Sequence, residues 1–567
     1  RQAEYDKTYQ CLHVKEQGGR VLARVSHDQN RGPAVWADFV YNGMSKVLMA
    51  DKDFGESCKI ETKENGQKLY RFEIPCDKNG LTLVFAMGDE YNEAVGRATA
   101  VLKNAEDALA AKTKFMNDLL NDQIPHFRCS DEKFVETYYY LWALYFMYFR
   151  DAGKGNTPYP YTVAAINNFR TLFGFDAVTF QAMTTLVVDK KKWGYGNFLN
   201  FKTMLSHLKN GALPETFGAT WHSPIYASPM EFHAELAWKV YRRSGDKKFL
   251  EEAYSIYKAV YEDKDLKPGE DESGREVMAV GVLEQMAAEL GNTEDAEKWR
   301  KLKEARLTGI ASNWEIDTPN YFGSGKTKDV WNLAPFYSPY FPAEYVEKMT
   351  EHWVMNSESG FLSEVPLRIR AADSEQIPPF NANTINTYLA IEGMFRHNVD
   401  DPAIELTLAH FNGLVRDYGF PITPECWDEN NKPWGSAYYG WDEIIALLPV
   451  ERLAGVDFSL LDDGFTVSEH LPESWAFAEV YMPVVKNGKT HWTHVKTTRQ
   501  IENGNTKKTI SVKGNTLANL SIEPRLEGKS LVSASPEGFQ DNQPKGHIRY
   551  NFRNTENASV AVILEDQ

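Results

Sequence analysis

The amino-acid sequence predicts a mainly α-helical protein, a helical toroid flanked by an N-terminal β-sandwich and a C-terminal β-domain. Three observations predict it: strand-like alternation over the first hundred or so residues, about eleven or twelve segments with helical spacing over residues 130–453, and a return of alternation after Asp457. We expect β-domains at 1–92 and 457–567, a linker helix at 93–123 and a helical catalytic domain at 124–456.

The N-terminal region carries short alternating segments such as RVLARVSHD, AVWADFVYNG and LTLVFAMG. Turn signals at Gly18–Gly19 and Asn79–Gly80 separate such segments, as expected for a β-sandwich. From Glu93 to Leu120 the sequence becomes rich in Ala, Leu and Lys with helical spacing. This change predicts one long helix that bridges two domains.

The helical region has alternating short and long connections, which is typical of helix pairs in a toroid. Its long connections are unusually aromatic and acidic, for example GALPETFGATWHSPIYAS and FPITPECWDENNKPWGSAYYG. Loops of this length in a compact domain are usually functional. If they all lie at one end of the toroid, they line a single pocket. After Asp457 the alternating segments and Asn-Gly turns predict a second β-domain.

Charge and composition exclude several classes of function. The 567 residues include 62 Lys and Arg against 79 Asp and Glu, a formal net charge of −17. This charge argues against a nucleic-acid partner and against docking on an anionic membrane. No run approaches ~18 apolar residues, so we expect no membrane insertion. Aromatic residues make up 13% of the chain, which fits a large core and a sugar-binding cleft equally well.

Metal and nucleotide motifs are weak. The five cysteines contain no C-x-x-C pair, so neither a zinc ribbon nor a thioredoxin-type site is indicated. The segment Phe322–Thr327 ends like a phosphate loop but has Asn320 in place of the first glycine. His491 and His494 lie three apart in a predicted strand and face opposite ways. We therefore expect no cofactor and no catalytic metal, whereas a structural metal stays open.

Asp176 is the first candidate for chemistry. It follows an aromatic approach in NNFRTLFGFDAVTFQAM and is expected to open a helix. N-capping alone would explain an aspartate there and is worth ~1 kcal/mol. An apolar pocket would instead raise the pKa of the carboxyl group and keep it protonated, as a general acid requires. Both explanations are open at this point.

Glu425 is the second candidate. It lies between Pro424 and Cys426 in a loop too aromatic to be simply solvated, and no capping role explains it. A carboxylate near Trp441 that opens the following helix could again be only a cap. The nearby acidic residues that compete with Glu425 for a functional role are Asp428, Glu429, Asp442 and Glu443.

These segments resemble motifs of the six-hairpin glycosidases, whose catalytic domain is an (α/α)6 toroid, and in particular families 63 and 37 of the glycoside hydrolases, the α-glucosidase and trehalase group. LFGFDAVTF is similar to their aromatic W-D segment, with Phe175 in place of the tryptophan before Asp176. PECWDENNKPWG is similar to their E-x-[WY]-[ND]-P loop at Glu425 and Trp427. YYGWDEII offers Trp441 where their trailing tryptophan belongs.

The resemblance implies an inverting glycoside hydrolase with Asp176 as general acid and Glu425 as general base. Asp442 stands where the family has serine, so the substrate class stays open. An inverting enzyme needs its two carboxyl groups ~6.5–9.5 Å apart to admit a water molecule. The side chains expected to bind sugar rings or hydroxyls are Arg170, Phe175, Trp193, Trp221, His222, Trp427 and Trp441. For Trp221 and Trp441, packing in the protein core explains a tryptophan as well as sugar binding does.

The leading hypothesis is therefore a hydrolase that acts on an oligosaccharide or polysaccharide, exo-acting or on small oligosaccharides. An anionic polymer would be repelled unless Arg170, Arg368 and Arg370 form a positive patch. One alternative is a polysaccharide lyase or sugar epimerase that abstracts a proton. Its candidate residues are Tyr159, Tyr161, His222 and Tyr226. Another alternative is a non-catalytic carbohydrate-binding protein.

Localisation is expected to be periplasmic or extracellular, from the acidic character and the β-domains. The sequence begins at Arg1 rather than methionine, so we expect a processed or trimmed chain in which an export signal is no longer visible. Sugar identity, linkage and oligomeric state stay open.

Overall fold

The computed structural model groups the chain into two compact units, Arg1–Asp118 with Thr220–Pro224, and Leu119–Ala219 with Ile225–Gln567. The structure describes residues 2–565 except 16–18, 25–35, 42–44, 56–58, 63–67, 72, 75, 77, 79, 89, 166–170, 220, 228–230, 265, 267–270, 272, 313, 315–327, 366, 375–383, 429, 437 and 537–545. The phosphate-loop-like segment 322–327 and Glu429 lie outside the described residues.

The N-terminal unit is built around an antiparallel sheet whose strands are, in spatial order, Gln2–Asp6, Cys11–Lys15, Ser45–Ala50 and Leu83–Gly88. Two hairpins accompany it, and their strands are Gly19–Arg24 with Trp36–Tyr41, and Lys59–Thr62 with Lys68–Arg71. The short strand Trp221–His222 belongs to the same unit.

A helix covers one face of this sheet, and the β-sandwich expected at 1–92 stays a prediction. Helix Tyr91–Lys103 buries Ala94, Val95 and Ala98 in a cluster with side chains of the sheet. Its small residues allow the helix to lie close to the strands, while Leu12, Ala50 and Phe54 form a separate buried cluster.

The linker helix predicted at 93–123 is two helices, Tyr91–Lys103 and Ala105–Asp122. Asn104 interrupts them with φ −141° and ψ 55°. Asparagine competes for backbone hydrogen bonds and so breaks helices, whereas the Ala- and Lys-rich sequence on both sides of it hides the interruption.

The second unit holds the main helices. They are Glu132–Met147, Ala177–Thr184, Lys190–Trp193, Gly196–Leu199, Phe232–Ser244, Lys247–Asp263, Arg275–Glu289, Thr293–Leu307, Ala343–Met349, Thr384–Arg396 and Asp400–Val415. Irregular helical turns occupy Asn200–His207, Val330–Tyr337, Thr350–Val354, Gly440–Ala446 and Pro449–Leu453. Two-residue and three-residue strands connect them, at Phe149–Arg150, Tyr161–Thr162, Leu172–Phe173, Leu213–Pro214, Thr216–Gly218, Tyr226–Ala227, Cys426–Trp427 and Pro433–Trp434.

Sequence periodicity and capping explain the long helices. In Glu132–Met147 the buried residues Phe134, Tyr138, Leu141 and Tyr145 recur every three or four positions. The Asp131 carboxylate accepts a hydrogen bond from the backbone N–H of Phe134 and so begins this helix. In the parts of the chain that the structure describes, no helix is both long and apolar enough to cross a membrane.

The C-terminal strands form two sheets. One contains Val456–Ser459, Gly464–Ser468, Asn519–Glu523 and Tyr550–Arg553. The other has the strand order Ser530–Ser535, Ala558–Glu565, Asn505–Lys513, Lys489–Glu502, Phe477–Lys486 and His126–Cys129. The expected boundary of the helical domain at 124 includes His126–Cys129, but this strand pairs with Phe477–Lys486 in the C-terminal sheet.

An ion-pair group around the buried Arg243 side chain connects the helices to these strands. Arg243, at the end of helix Phe232–Ser244, is 2.6 Å from Glu451 and 2.5 Å from Asp457. The positive charge of Arg243 and Lys239 holds the pKa of the Glu451 carboxyl below its usual range despite burial. Loss of Arg243 would remove the cation that these two carboxylates share, so the group links helix Phe232–Ser244 to the strand Val456–Ser459.

Helix packing makes a prediction for Gly393. A Cβ atom at this position would lie 2.4 Å from the backbone carbon of Phe336, which cannot move aside easily. We expect Gly393→Ala to destabilise the protein by roughly 1–3 kcal/mol or more. The matched helical control is Gly281→Ala, whose Cβ would meet the flexible ends of Tyr340 and Lys303. Chemical denaturation measures the free energy of unfolding of both variants. Equal values for Gly393→Ala and Gly281→Ala would contradict the close approach of Gly393 to Phe336.

Candidate active site

Asp176 lies where a short strand turns into a helix. Leu172–Phe173 pairs with Thr216–Gly218, and the helix begins at Ala177, immediately after Asp176. The predicted helix start is correct, but the capping explanation is not. The Asp176 side chain makes no capping hydrogen bond, and its backbone is already helical (φ −65°, ψ −28°).

The Asp176 carboxyl group instead accepts two hydrogen bonds from aromatic side chains. Trp441 Nε1 donates to Oδ1 at 2.6 Å, and the Tyr439 hydroxyl donates to Oδ2 at 3.3 Å. Asp176 is only 4% exposed. Both donors stand near the start of the turn Gly440–Ala446, so the loop that carries Glu425 also positions Asp176.

Burial raises the pKa of the Asp176 carboxyl to about 7. The hydrogen bonds from Trp441 and Tyr439 oppose this effect, while the negative charges of Glu425 and Glu215 add to it. A carboxyl with this pKa holds its proton near neutral pH and can release it to a bound substrate, as a general acid must.

Glu425 is held by a local exchange of hydrogen bonds. Its backbone N–H donates to the carbonyl of Ser436 at 2.9 Å, and the Ser436 N–H donates to Glu425 Oε2 at 3.0 Å. Gly435 (φ +84°) makes this possible, because a Cβ there would lie 2.8 Å from Glu425 Oε2. Unlike Asp176, Glu425 is partly exposed and can meet water.

The loop then returns to the helical core. The Tyr439 N–H donates to Thr423 at 2.6 Å, and the Gly440 N–H donates to Ala164 at 2.7 Å. The hydroxyl of Tyr148 donates to the carbonyl of Tyr438. These bonds fix both ends of the segment that carries the carboxylate and the two donors to Asp176.

Glu215 is a third carboxylate near Asp176, and the sequence reasoning did not single it out. The backbone N–H of Gly174 donates to the carbonyl of Glu215 at 2.9 Å, so the strand pairing holds Glu215 beside the turn that carries Asp176. A signal was present: Pro214–Glu215 lies in an aromatic loop, as Pro424–Glu425 does.

Aromatic side chains surround the carboxylates. Phe175 meets Trp441 edge-on at 5.7 Å between ring centroids and lies 6.1 Å from Trp331. Arg275 stacks on Trp331 at 5.2 Å. All four side chains are partly exposed, so this group has faces available for a ligand. Trp331 and Arg275 were not predicted, because neither lies in a segment with a recognised motif.

Two predicted sugar-binding tryptophans have the packing of core residues. Trp193 is 7% exposed and contacts Phe146 and Phe149 at 5.3 and 4.7 Å. Trp427 is 0% exposed, and its nearest described ring is His410. A fully buried ring has no face for a sugar, so the expected stacking role does not fit these placements.

The remaining predicted binding residues cannot be assigned to this group. Trp221 and His222 lie in the N-terminal unit, and Arg170 lies outside the described residues. Two arginines of the positive patch considered for an anionic polymer, Arg368 and Arg370, already have partners within the protein. Arg370 pairs with Asp329 at 2.7 Å, and Arg368 donates to the carbonyl of Ser357 at 2.9 Å.

The acidic competitors of Glu425 have structural surroundings. Asp428 accepts the backbone N–H groups of Asn430 and Lys432 and so shapes a turn. Asp442 does not open a helix, because the turn begins at Gly440. It is buried instead, and Thr384 donates to it. Glu443 is also fully buried, and burial raises its pKa.

The proton-abstraction candidates differ in their surroundings. Tyr161 is buried, and burial raises the pKa of its hydroxyl, which makes it a poorer base. Tyr159 is 37% exposed, and Tyr226 lies under the ammonium group of Lys209 at 4.1 Å.

Comparison with solved structures identifies the fold. An alpha-L-rhamnosidase from Dictyoglumus thermophilum superimposes with a TM-score of 0.53 at 15% identity, over 78% of this chain and 50% of that chain. A putative kojibiose phosphorylase from human microbiome superimposes with a TM-score of 0.51 at 8% identity, over 99% of this chain and 83% of that chain. A GH78 family rhamnosidase of Bacillus sp. GL1 superimposes with a TM-score of 0.50 at 12% identity, over 70% of this chain and 42% of that chain. The chain has a six-hairpin glycosidase-like fold. The resemblance drawn from the sequence is confirmed at this level.

The similarity is structural. No family model matches the chain, and no curated protein matches it. The chain spans about half the length, or less, of the two rhamnosidases.

The raised pKa of Asp176 makes a prediction for stability. Its folded-state pKa of about 7 lies above that of an unfolded aspartate, so the wild type loses stability as the pH rises from about 4 through about 7. Asp176→Asn removes this cost. We expect the variant to be more stable than the wild type at pH 8, by an amount of the order of 2–4 kcal/mol, and to lose this advantage near pH 4.

Unfolding curves at pH 4, 6 and 8 measure this difference. The control is Asp246→Asn, because Asp246 also precedes a helix but does accept the N–H groups of Lys248 and Phe249. An advantage of Asp176→Asn that is independent of pH would contradict the raised pKa.

Proposed function

We propose that the protein is an inverting glycoside hydrolase whose catalytic domain is an (α/α)6 toroid, with Asp176 as general acid and Glu425 as general base. The observation that carries the proposal is the buried Asp176 carboxyl, which keeps its proton near neutral pH while a second, partly exposed carboxylate lies close enough to raise its pKa. The six-hairpin glycosidase-like fold supports the same reaction class.

The reaction would proceed in one displacement. Asp176 gives its proton to the glycosidic oxygen as the bond from that oxygen to the anomeric carbon breaks. Glu425 takes a proton from water, whose oxygen attacks the anomeric carbon from the opposite face. The sugar is released with inverted configuration, and the two carboxyl groups have exchanged protonation states. Proton exchange with solvent restores them.

The environment of each carboxyl suits its role. Trp441 and Tyr439 donate to Asp176, so they stabilise the carboxylate that forms after proton transfer. The Ser436 N–H occupies one oxygen of Glu425 and orients the carboxylate. Phe175 and Trp441 offer partly exposed rings on which a sugar could stack.

The alternatives have weaker support. A lyase or epimerase needs an ionisable tyrosine or histidine beside the substrate, whereas the pKa of Tyr161 is raised. A non-catalytic binding protein has no use for a buried carboxyl group that destabilises the fold at neutral pH. Two solved structures of similar fold are rhamnosidases and one is a putative phosphorylase, so the substrate we propose is a rhamnoside or an α-linked glucoside oligosaccharide. We further propose exo-action and a periplasmic or extracellular location.

Product stereochemistry tests the reaction class. The wild type, Asp176→Asn and Glu425→Gln are incubated with α-L-rhamnosides and α-linked disaccharides, with and without inorganic phosphate, and the products are followed by NMR. We expect a free monosaccharide of inverted configuration and at least a 100-fold loss of rate in each variant. A product with retained configuration, a sugar phosphate formed only with phosphate, or an unsaturated product absorbing near 235 nm would contradict the proposal.

The pH–rate profile of a Glu215→Gln variant tests whether Glu425, rather than Glu215, is the general base. Its negative charge raises the pKa of Asp176, so Glu215→Gln should remain active and move the alkaline limb of the pH–rate profile to lower pH. The limb lies near pH 7 in the wild type if Asp176 is the acid. Loss of activity in Glu215→Gln at every pH, with activity retained in Glu425→Gln, would transfer the role of base to Glu215.

A further inference from the structure

Three buried side chains outside the candidate active site converge on one point. Asp400 is the first residue of helix Asp400–Val415, His470 follows strand Gly464–Ser468, and His547 precedes strand Tyr550–Arg553. Their exposed fractions are 7%, 6% and 3%. One potential ligand atom from each lies within 4.8 Å of the other two.

Backbone contacts indicate which ring nitrogens face this point. His470 Nδ1 lies 3.0 Å from the carbonyl oxygen of Arg452, and His547 Nδ1 lies 3.3 Å from that of Glu523. A carbonyl oxygen can only accept a hydrogen bond, so each Nδ1 carries the proton. In the neutral rings both Nε2 atoms therefore direct lone pairs at the Asp400 carboxylate. This is the arrangement by which outer contacts orient histidine ligands of a metal.

The distances from both Nε2 atoms to the Asp400 carboxylate are longer than those of charge-assisted hydrogen bonds. His470 Nε2 lies 3.4 Å from Asp400 Oδ1, and His547 Nε2 lies 3.7 Å from Asp400 Oδ2. Charge-assisted hydrogen bonds between such groups are about 2.7–2.9 Å long. Asp400 Oδ1 is buried and accepts no hydrogen bond from the described residues. Two ligands of a tetrahedral ion with bonds of about 2.0–2.1 Å would lie about 3.3 Å apart, close to the spacing seen here.

The guanidinium group of Arg525 already lies beside the Asp400 carboxylate. Arg525 Nε lies 3.3 Å from Asp400 Oδ2, and its Nη2 lies 2.6 Å from Asp401. Arg525 therefore approaches one oxygen of the Asp400 carboxylate and shares its charge with a second aspartate. Oδ1, the oxygen nearer His470, remains available to an ion.

We propose that Asp400, His470 and His547 bind a structural Zn²⁺ ion. Two imidazoles and a carboxylate are ligands that Zn²⁺ accepts readily, with a water molecule in the fourth position. Burial of all three side chains closes the site to substrates, which favours a structural over a catalytic ion. The ion joins the start of a helix to two distant segments of the C-terminal region.

Metal content of the wild-type protein tests the proposal directly. The protein is freed of any affinity tag, stripped with a chelator, dialysed, and titrated with ZnCl₂, and bound zinc is measured by elemental analysis. We expect one zinc ion per chain and a melting temperature higher by roughly 5 °C or more in the zinc-loaded form. Failure to bind zinc at a stoichiometry of one, or equal melting temperatures with and without zinc, would overturn the proposal.

Two variants assign the ion to this site. His547→Gln keeps the side-chain volume but removes a ligand, and we expect it to lose the bound zinc and the zinc-dependent rise in melting temperature. His494→Gln is the control, because His494 also faces a carboxylate but lies within direct hydrogen-bond distance of it, 2.6 Å from Glu479. Zinc retained in His547→Gln, or lost in His494→Gln alone, would overturn the assignment. Because the wild-type titration is independent of both variants, a variant that fails to fold leaves the proposal testable.

Discussion

Burial of the Asp176 carboxyl group is the constraint from which the candidate site follows. None of the ion pairs in the described part of the chain includes Asp176, and its hydrogen-bond partners are the neutral donors Trp441 and Tyr439. A carboxyl group in such surroundings is disfavoured as an anion and keeps its proton. The loop that supplies the two donors also carries Glu425, so one segment sets the protonation of the acid and the position of the base.

Some other buried carboxylates of this chain have the opposite protonation because cations lie beside them. Glu392 is as deeply buried as Asp176, but the positive charges of Arg452 and Arg396 lower its pKa to about 2. Glu392 is therefore ionised and paired with two arginines, whereas the pKa of Asp176 is raised to about 7 and its ionisation costs stability at alkaline pH. Burial alone therefore does not identify a function. Asp176 differs from Glu392 because it is buried without a cation, and from the fully buried Glu443 because its carboxyl group is held by Trp441 and Tyr439 near the partly exposed Glu425.

Much of this could be predicted from sequence, and the failures have physical reasons. The order of β, helical and β regions and the segments around Asp176 and Glu425 were visible because periodicity and aromatic loops are local signals. The break at Asn104 was hidden by good helix formers on both sides. Trp427 is buried although its loop predicts a sugar-binding role, because a tryptophan in an aromatic loop can also face the core. Glu215 and the histidines His470 and His547 gain their meaning only from partners far away in the sequence.

Leaving-group dependence is the most direct test of the claim that Asp176 is the acid. Aryl glycosides with a good leaving group, such as 2,4-dinitrophenolate, need no proton for bond cleavage, whereas alkyl glycosides and disaccharides do. We predict that Asp176→Asn retains substantial activity on the dinitrophenyl glycoside and loses it on the alkyl glycoside, while Glu425→Gln loses activity on both. An equal loss on both substrates in Asp176→Asn would contradict the role of the buried carboxyl group as general acid.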